Sequence, residues 1–206
     1  MNVLLIDDHP MVNSGLASIL EETGRFRVTG QVTSLTEAKK FIQETIFIKT
    51  KFPSFIILDI SLNDENGLDF LPFLENFCKE KKISMPFVLI CSVLEEPIRI
   101  QSALKMGASG YVSKASSKDE LLKAIDAILN EEIYLSEKQS DKINKSYRLY
   151  SKFTKREMEI FALMKEKKSN KQIADELGIN FRTIENHVSN IYFKTGTANR
   201  DELMKL

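Results

Sequence analysis

Cysteine is scarce. The only two, Cys78 and Cys91, stand beside apolar neighbours and lack metal-ligand spacing, which excludes a disulfide-stapled secreted scaffold and points to a reduced intracellular compartment. Long apolar runs are missing too: none approaches the roughly 18 residues of a membrane span, and Asp7 interrupts the stretch a signal peptide would need. The expectation is a soluble, cytoplasmic protein with no membrane partner. No internal repeat or low-complexity tract is present. Net charge is zero, with 29 Lys+Arg against 29 Asp+Glu, but it is unevenly spread. Residues 1–140 hold 15 basic and 20 acidic side chains and residues 141–206 hold 14 and 9, so only the tail is suited to a polyanion.

What is present is enough apolar residue, 43%, for a substantial core in a chain longer than one small domain. Five short apolar or β-branched runs, Val3–Ile6, Phe26–Val32, Phe55–Leu58, Phe87–Cys91 and Gly110–Val112, alternate with helically spaced segments. Leu16, Ile19 and Leu20 mark one helix, Leu68, Leu71, Leu74 and Phe77 another, and Leu121, Leu122, Ile125, Ile128 and Leu129 a third. Five βα units predict an α/β doubly wound, five-stranded parallel sheet with ligands at the carboxyl ends of its strands.

The pattern predicts a first domain over 1–130, a polar, partly helical linker over 131–151 that carries scattered tyrosines, and a smaller all-α domain over 152–206. Three helix starts there have a capping residue followed three positions later by Glu or Gln: Thr154–Glu157, Ser169–Gln172 and Asn199–Glu202. A fourth start is Asn180, after Gly178. The middle, "SNKQIADELGINFRTIENHVSNIYFKTG", has the spacing of a short helix, a turn at Gly178 and a longer helix to about Lys194, a helix-turn-helix.

On the predicted sheet, Asp7 and Asp8 end the first strand, Asp59 the third, Ser92 the fourth and Lys114 the fifth, all at one edge. Three carboxylates in one crevice repel unless a cation joins them, and hard oxygen ligands suit Mg²⁺. Together with a lysine and a hydroxyl they form a phosphoryl-transfer site. Asp59, the single carboxylate at the end of its strand, is the predicted nucleophile. The Asp7–Asp8 pair anchors the metal, and Ser92 and Lys114 bind phosphoryl oxygens. His9 is assigned no chemistry. A hydrolase turning over a small substrate would need a second acid/base group, such as an Asp two residues after the nucleophile, and that position is Ser61.

"LLIDDHPMV", "ILDISLNDENGLDFL", "VLICSV" and "GASGYVSKASSKDELLKAI" resemble the receiver domain of two-component response regulators, flavodoxin-like in fold. "FTKREMEIF" with "SNKQIADELGINFRTIENHVSNI" resembles the LuxR-type helix-turn-helix, and the combination is similar to the NarL/FixJ family. The resemblance makes Asp59 the phosphoacceptor, Ser92 the switch hydroxyl, Tyr111 the switch aromatic that follows Ser92 inward, and Lys114 the conserved-type lysine. It gives Mg²⁺ to Asp8, Asp59 and the Ser61 carbonyl directly, and to Asp7 through water. It implies a transcription factor rather than an enzyme, with a sensor histidine kinase, promoter DNA, a second copy of itself and RNA polymerase as partners. Asn63, Asp64 and Glu65 depart from the pattern and predict a more acidic, less rigid loop after Asp59. Val93 is larger than usual beside the switch hydroxyl.

On the second helix of the tail, Ile184, Val188 and Ile191 share one face and are predicted core. Arg182, Thr183, Asn186, Ser189 and Phe193 face outward with Glu185 on the flank, a set able to read bases in a major groove. Lys171 and Lys194, with Lys155, Arg156, Lys167 and Lys168, are expected on phosphates. Thr195 replaces a core Leu of the pattern and predicts a looser helix end. The alternative is a tail that binds protein instead of DNA.

Overall fold

The computed structural model describes residues 1–46, 48 and 52–204, except for the side chains of 146–150. The linker tyrosines Tyr147 and Tyr150 and the last two residues of the tail fall outside that description. Two compact units are present, Met1–Ser140 and Asp141–Leu206.

The first unit carries β1 (Asn2–Ile6), α1 (Pro10–Glu22), β2 (Arg27–Val32), α2 (Leu35–Thr45) and β3 (Phe55–Leu58). A two-stranded hairpin, β4 (Ser61–Leu62) and β5 (Glu65–Asn66), leads through a short turn to α3 (Phe70–Lys81). Then come β6 (Phe87–Ser92), α4 (Pro97–Lys105), β7 (Gly110–Ser113) and α5 (Lys118–Leu129). The predicted five-stranded parallel sheet is present in the order β2-β1-β3-β6-β7. β3 is buried along its whole length, as a strand covered by helices on both faces must be, and this is why its sequence "FIIL" shows no alternation. One core layer joins Val3, Leu5, Ile57 and Leu89 of the sheet to Leu20 of α1 and to Leu121, Ile125 and Ile128 of α5.

Tyr134 lies within the span expected to be linker, yet the structure pairs it with the sheet. Tyr134 bridges to Gly110 in parallel, Tyr134 N donates to the Ser109 carbonyl and Tyr111 N to the Tyr134 carbonyl. Ser136 and Gln139 then cap the start of α6 (Glu137–Tyr150), with Gln139 buried. The chain leaving α5 covers the start of the β7 edge with the two Tyr134 backbone bonds.

The second unit contains α7 (Lys155–Lys165), α8 (Asn170–Leu177), α9 (Phe181–Thr195) and α10 (Arg200–Met204). Thr154 with Glu157 and Ser169 with Gln172 form reciprocal capping boxes, while Asn180 and Asn199 accept from Arg182 N and Glu202 N. Gly178 ends α8 at φ +63, a left-handed conformation in which glycine carries no penalty, and so makes the turn of the helix-turn-helix. The core joins Ile160, Phe161 and Met164 to Ile173, Ile184, Val188, Ile191 and Leu203. Thr195 does not loosen its helix end: its hydroxyl donates to the Ile191 and Tyr192 carbonyls and meets Thr197, adding to the backbone bond from Thr197 N to the Tyr192 carbonyl.

Candidate functional site

The acidic residues sit one position past the strands, where the parallel ladder carries on. Asp7 N donates to the Val32 carbonyl, Asp59 N to the Ile6 carbonyl and Lys114 N to the Ser92 carbonyl. Sheet geometry therefore brings Asp7, Asp59, Ser92 and Lys114 to one edge, and the first three are buried to within 2%. The Lys114 ammonium bridges two carboxylates, 2.6 Å from Asp7 Oδ2 and 2.7 Å from Asp59 Oδ2. Burial works against its charge, but Asp59 and Asp7 outweigh burial and hold the Lys114 pKa above its ordinary value.

Asp8 is placed differently. Its Oδ2 accepts from Asn63 N at 2.8 Å, while Oδ1 is buried and accepts no aligned hydrogen bond, with His9 Nδ1 2.6 Å away. Burial alone would raise the Asp8 pKa, yet the Asn63 N–H, His9 and Lys114 together hold it below the usual carboxylate value. Three carboxylates converge at one edge with a single bridging ammonium among them, and hard oxygen donors left with excess negative charge fit a divalent metal. The donor cluster drawn together, however, is Asp7, Asp8 and His9. Asp59, expected among the ligands, has one oxygen on Lys114 and the other accepting from Ser61 N at 3.2 Å.

Ser92 is fully buried and its Oγ accepts from Leu94 N. Tyr111 is also fully buried, with its hydroxyl donating to the Leu94 carbonyl, and burial raises its pKa. The Tyr111 ring is buried in this structure, which is the inward position the resemblance gives it. Val93 is exposed. The loop after Asp59 is pinned rather than slack: its two strands pair, Asn63 N bonds Asp8, and Glu65 Oε2 accepts from Leu35 N at 3.0 Å.

Three participants carried weaker sequence signals. Asn13 lies on the buried stripe of α1 with Ala17 and Leu20, and its side-chain amide donates to the Asp7 and Val32 carbonyls, tying β1 to β2 behind the acids. A polar residue at a core position was the available clue. His9 has no use as a cap and turns its ring to Asp8 and Asp7. Gly67 N donates to the Ile60 carbonyl at 2.6 Å, and a Cβ there would fall 2.0 Å from the Asp59 carbonyl oxygen. Gly67→Ala is therefore expected to cost about 1–3 kcal/mol or more, as overpacking against backbone does. Thermal unfolding checks it, with Gly15→Ala as the contrast: nothing lies within 4 Å there, and a helical alanine should gain about 0.5–1 kcal/mol.

In the tail, Arg182, Thr183, Glu185, Asn186, Ser189 and Phe193 of α9 are exposed, as is Lys171 near the start of α8, while Ile184, Val188 and Ile191 are buried as expected. Lys194 departs from expectation. Its ammonium is 2.6 Å from Glu157 Oε2, a buried carboxylate that also accepts from Thr154 N, so its charge is spent inside the domain. Lys168 is likewise paired with Glu166 and Glu176, and Arg156 with Glu159. Burial would raise the Glu157 pKa, but Lys194 and the Thr154 N–H hold it below its ordinary value. The pair stabilises the fold above the unfolded carboxyl value of 4.5, and its contribution is lost as pH falls through the lower folded value. Lys194→Met should destabilise the tail by about 1–3 kcal/mol at neutral pH, because it leaves a buried charge short of a partner. The deficit should shrink in acid, which denaturant titrations at two pH values would check.

Fold and site together define a class: an α/β domain with acids, hydroxyl and lysine at one sheet edge, joined to a helix-turn-helix. The chain belongs to the response regulators, since residues 3–126 match the response regulator receiver domain and residues 151–206 match the bacterial regulatory proteins of the luxR family. It is 30% identical to the transcriptional regulatory protein LiaR of Bacillus subtilis, over 98% of this chain and 94% of that protein. It is 31% identical to the nitrate/nitrite response regulator protein homolog of Haemophilus influenzae, over 97% and 92%. Among solved structures it resembles RcsB of Salmonella enterica serovar Typhimurium, bound to promoter rprA in the presence of the phosphomimetic BeF3-, with a TM-score of 0.70, 20% identity and 99% and 96% of the two chains covered. The chain is thus a response regulator with a receiver domain and a LuxR-type DNA-binding domain, in a family of transcription regulators. Among the described residues no helix is long and apolar enough to cross a membrane.

Proposed function

We propose that Asp59 accepts a phosphoryl group from a sensor histidine kinase or a small acyl phosphate, and that this switches promoter binding by the tail. The observation that carries the reading is the Lys114 ammonium held 2.7 Å from Asp59, beside Asp7, Asp8 and Ser92. An Asp59 oxygen attacks phosphorus, the bond from phosphorus to the leaving group breaks, and the leaving group keeps its electron pair. Lys114 turns from the carboxylates to the new phosphoryl oxygens, and the Ser92 hydroxyl donates to one of them. Mg²⁺ would add charge neutralisation, held by Asp8 with Asp59 and the Ser61 carbonyl, and by Asp7 through water. Ser92 and Tyr111 then bias a two-state equilibrium around β6 and β7.

In the tail, Arg182, Thr183, Glu185, Asn186 and Ser189 face bases and Lys171 a phosphate. Lys194 leaves the phosphate set because Glu157 holds it. Phosphorylation favours a homodimer, in which α10 supplies tail contacts, and RNA polymerase is a further partner at the promoter. The RcsB structure bound to promoter rprA in the presence of a phosphomimetic is the parallel for the link between phosphorylation and DNA binding. Genome-wide mapping of bound DNA tests the reading. Discrete promoter sites whose occupancy falls in Asp59→Asn are expected, whereas no discrete sites, or identical occupancy in the variant, would overturn it.

A further inference from the structure

Most acidic side chains of the second unit are committed to its own fold. Glu157 meets Lys194, Glu159 meets Arg156, Glu166 and Glu176 meet Lys168, and Glu202 accepts from Ala198 N. Glu185 is different. It is exposed, it is the one acid on α9, and its carboxylate enters no ion pair or hydrogen bond among the described residues. At about 100° of rotation per residue it stands about 60° from Arg182, beside Asn186, on the flank of the outward face and clear of the buried Ile184, Val188 and Ile191.

A carboxylate brought to a major groove meets repulsion from two sources. The phosphates repel it at range, and most base edges present acceptors to it: G offers N7 and O6, T offers O4, and the amino group of A stands beside the N7 acceptor. Cytosine is the exception, since its N4 amino group is a donor with no acceptor on the same edge. On the DNA reading given above, we infer that Glu185 specifies cytosine, a choice of base that reading leaves unnamed. Its carboxylate accepts from one cytosine amino group, at or next to the base pair that Arg182 reads, and repels every other base at that position. Glu185 therefore acts in the opposite sense to the cations around it. Losing it removes a repulsion, so Glu185→Ala should hold unselected duplex more tightly at low salt, by about twofold to threefold, the size of one like charge in water.

The test is selection from a random duplex library by the full-length protein, with and without acyl phosphate, beside Glu185→Ala and Glu185→Gln. Native protein should select a motif with a fixed C·G pair that both variants relax, because alanine has no acceptor and glutamine both donates and accepts. On the selected duplex, that cytosine is then replaced by pyrimidin-2-one, which lacks only the amino group. Native binding should weaken by about tenfold and Glu185→Ala binding by less than about twofold. The base replacement reads the native protein, so the outcome does not depend on either variant folding, which circular dichroism checks separately. If native protein and Glu185→Ala select the same motif, or differ only at a position other than cytosine, the Glu185 inference is overturned and the DNA reading stands. Equal weakening of both proteins by the base replacement overturns it as well. If native protein selects no motif under either condition, the DNA reading fails and the inference falls with it.

Discussion

Incubated with Mg²⁺ and a small acyl phosphate, the full-length chain should gain a single acid-stable, base-labile phosphoryl group, and Asp59→Asn should gain none. Distance to the lysine does not by itself select Asp59, since Asp7 is as close to Lys114. Strand order does. β3 lies between β1, which ends in Asp7 and Asp8, and β6, which ends in Ser92, with β7 and Lys114 next. A phosphoryl group on Asp59 meets the acid pair and its cation on one side and a hydroxyl and an ammonium on the other. A phosphoryl group on Asp7 would have β2 as its other neighbour, and β2 ends in Val32, which offers no charge. Asp7 is moreover tied down by His9 N, and its carbonyl by Asn13. Intact-mass measurement decides the matter. Undiminished labelling of Asp59→Asn, or loss only in Asp7→Asn, would move the nucleophile to another residue.

β1, β3 and β6 and their polar ends were legible because each is a short apolar run stopped by a charge or hydroxyl, and a parallel sheet turns sequence order into a shared edge. The tail was legible through its caps, since Thr154, Ser169, Asn180 and Asn199 all accept the backbone N–H groups their residue types imply. What escaped depends on contacts between segments distant in sequence. Lys194 reads as one more surface cation until α7 places Glu157 against it, 37 residues earlier. Asn63 and Glu65 read as slack because their partners, Asp8 and Leu35 N, lie 55 and 30 residues away. His9 was passed over for a different reason: beside Pro10 it looks like a helix start, and only the side-chain direction shows the ring returning to Asp8.

The same separation of free from committed charge governs the tail and its DNA. Arg182 and Asn186 are exposed near the N-terminal half of α9, opposite Ile184, Val188 and Ile191, and make no ion pair among the described residues. Lys171 is exposed in the first turn of α8, a position proposed above for backbone phosphate rather than base edges. Their variants should therefore differ in kind. Arg182→Ala or Asn186→Ala should cost about 1–3 kcal/mol at the preferred site and relax its sequence preference, because bidentate base contacts carry discrimination of that size. Lys171→Ala should weaken every DNA alike and lower the slope of log affinity against log salt by about 1, as one fewer counterion is released. Lys194→Ala should leave that slope unchanged, since the ammonium is already neutralised by Glu157, and any loss of affinity should follow the loss of folded tail. Binding of the full-length protein to a mapped site and to scrambled DNA at several salt concentrations distinguishes these outcomes. If Arg182, Asn186 and Lys171 variants all lost affinity uniformly with the specificity ratio intact, α9 would not be the element that reads the sequence, and a lowered slope in Lys194→Ala would return that lysine to the phosphate contacts.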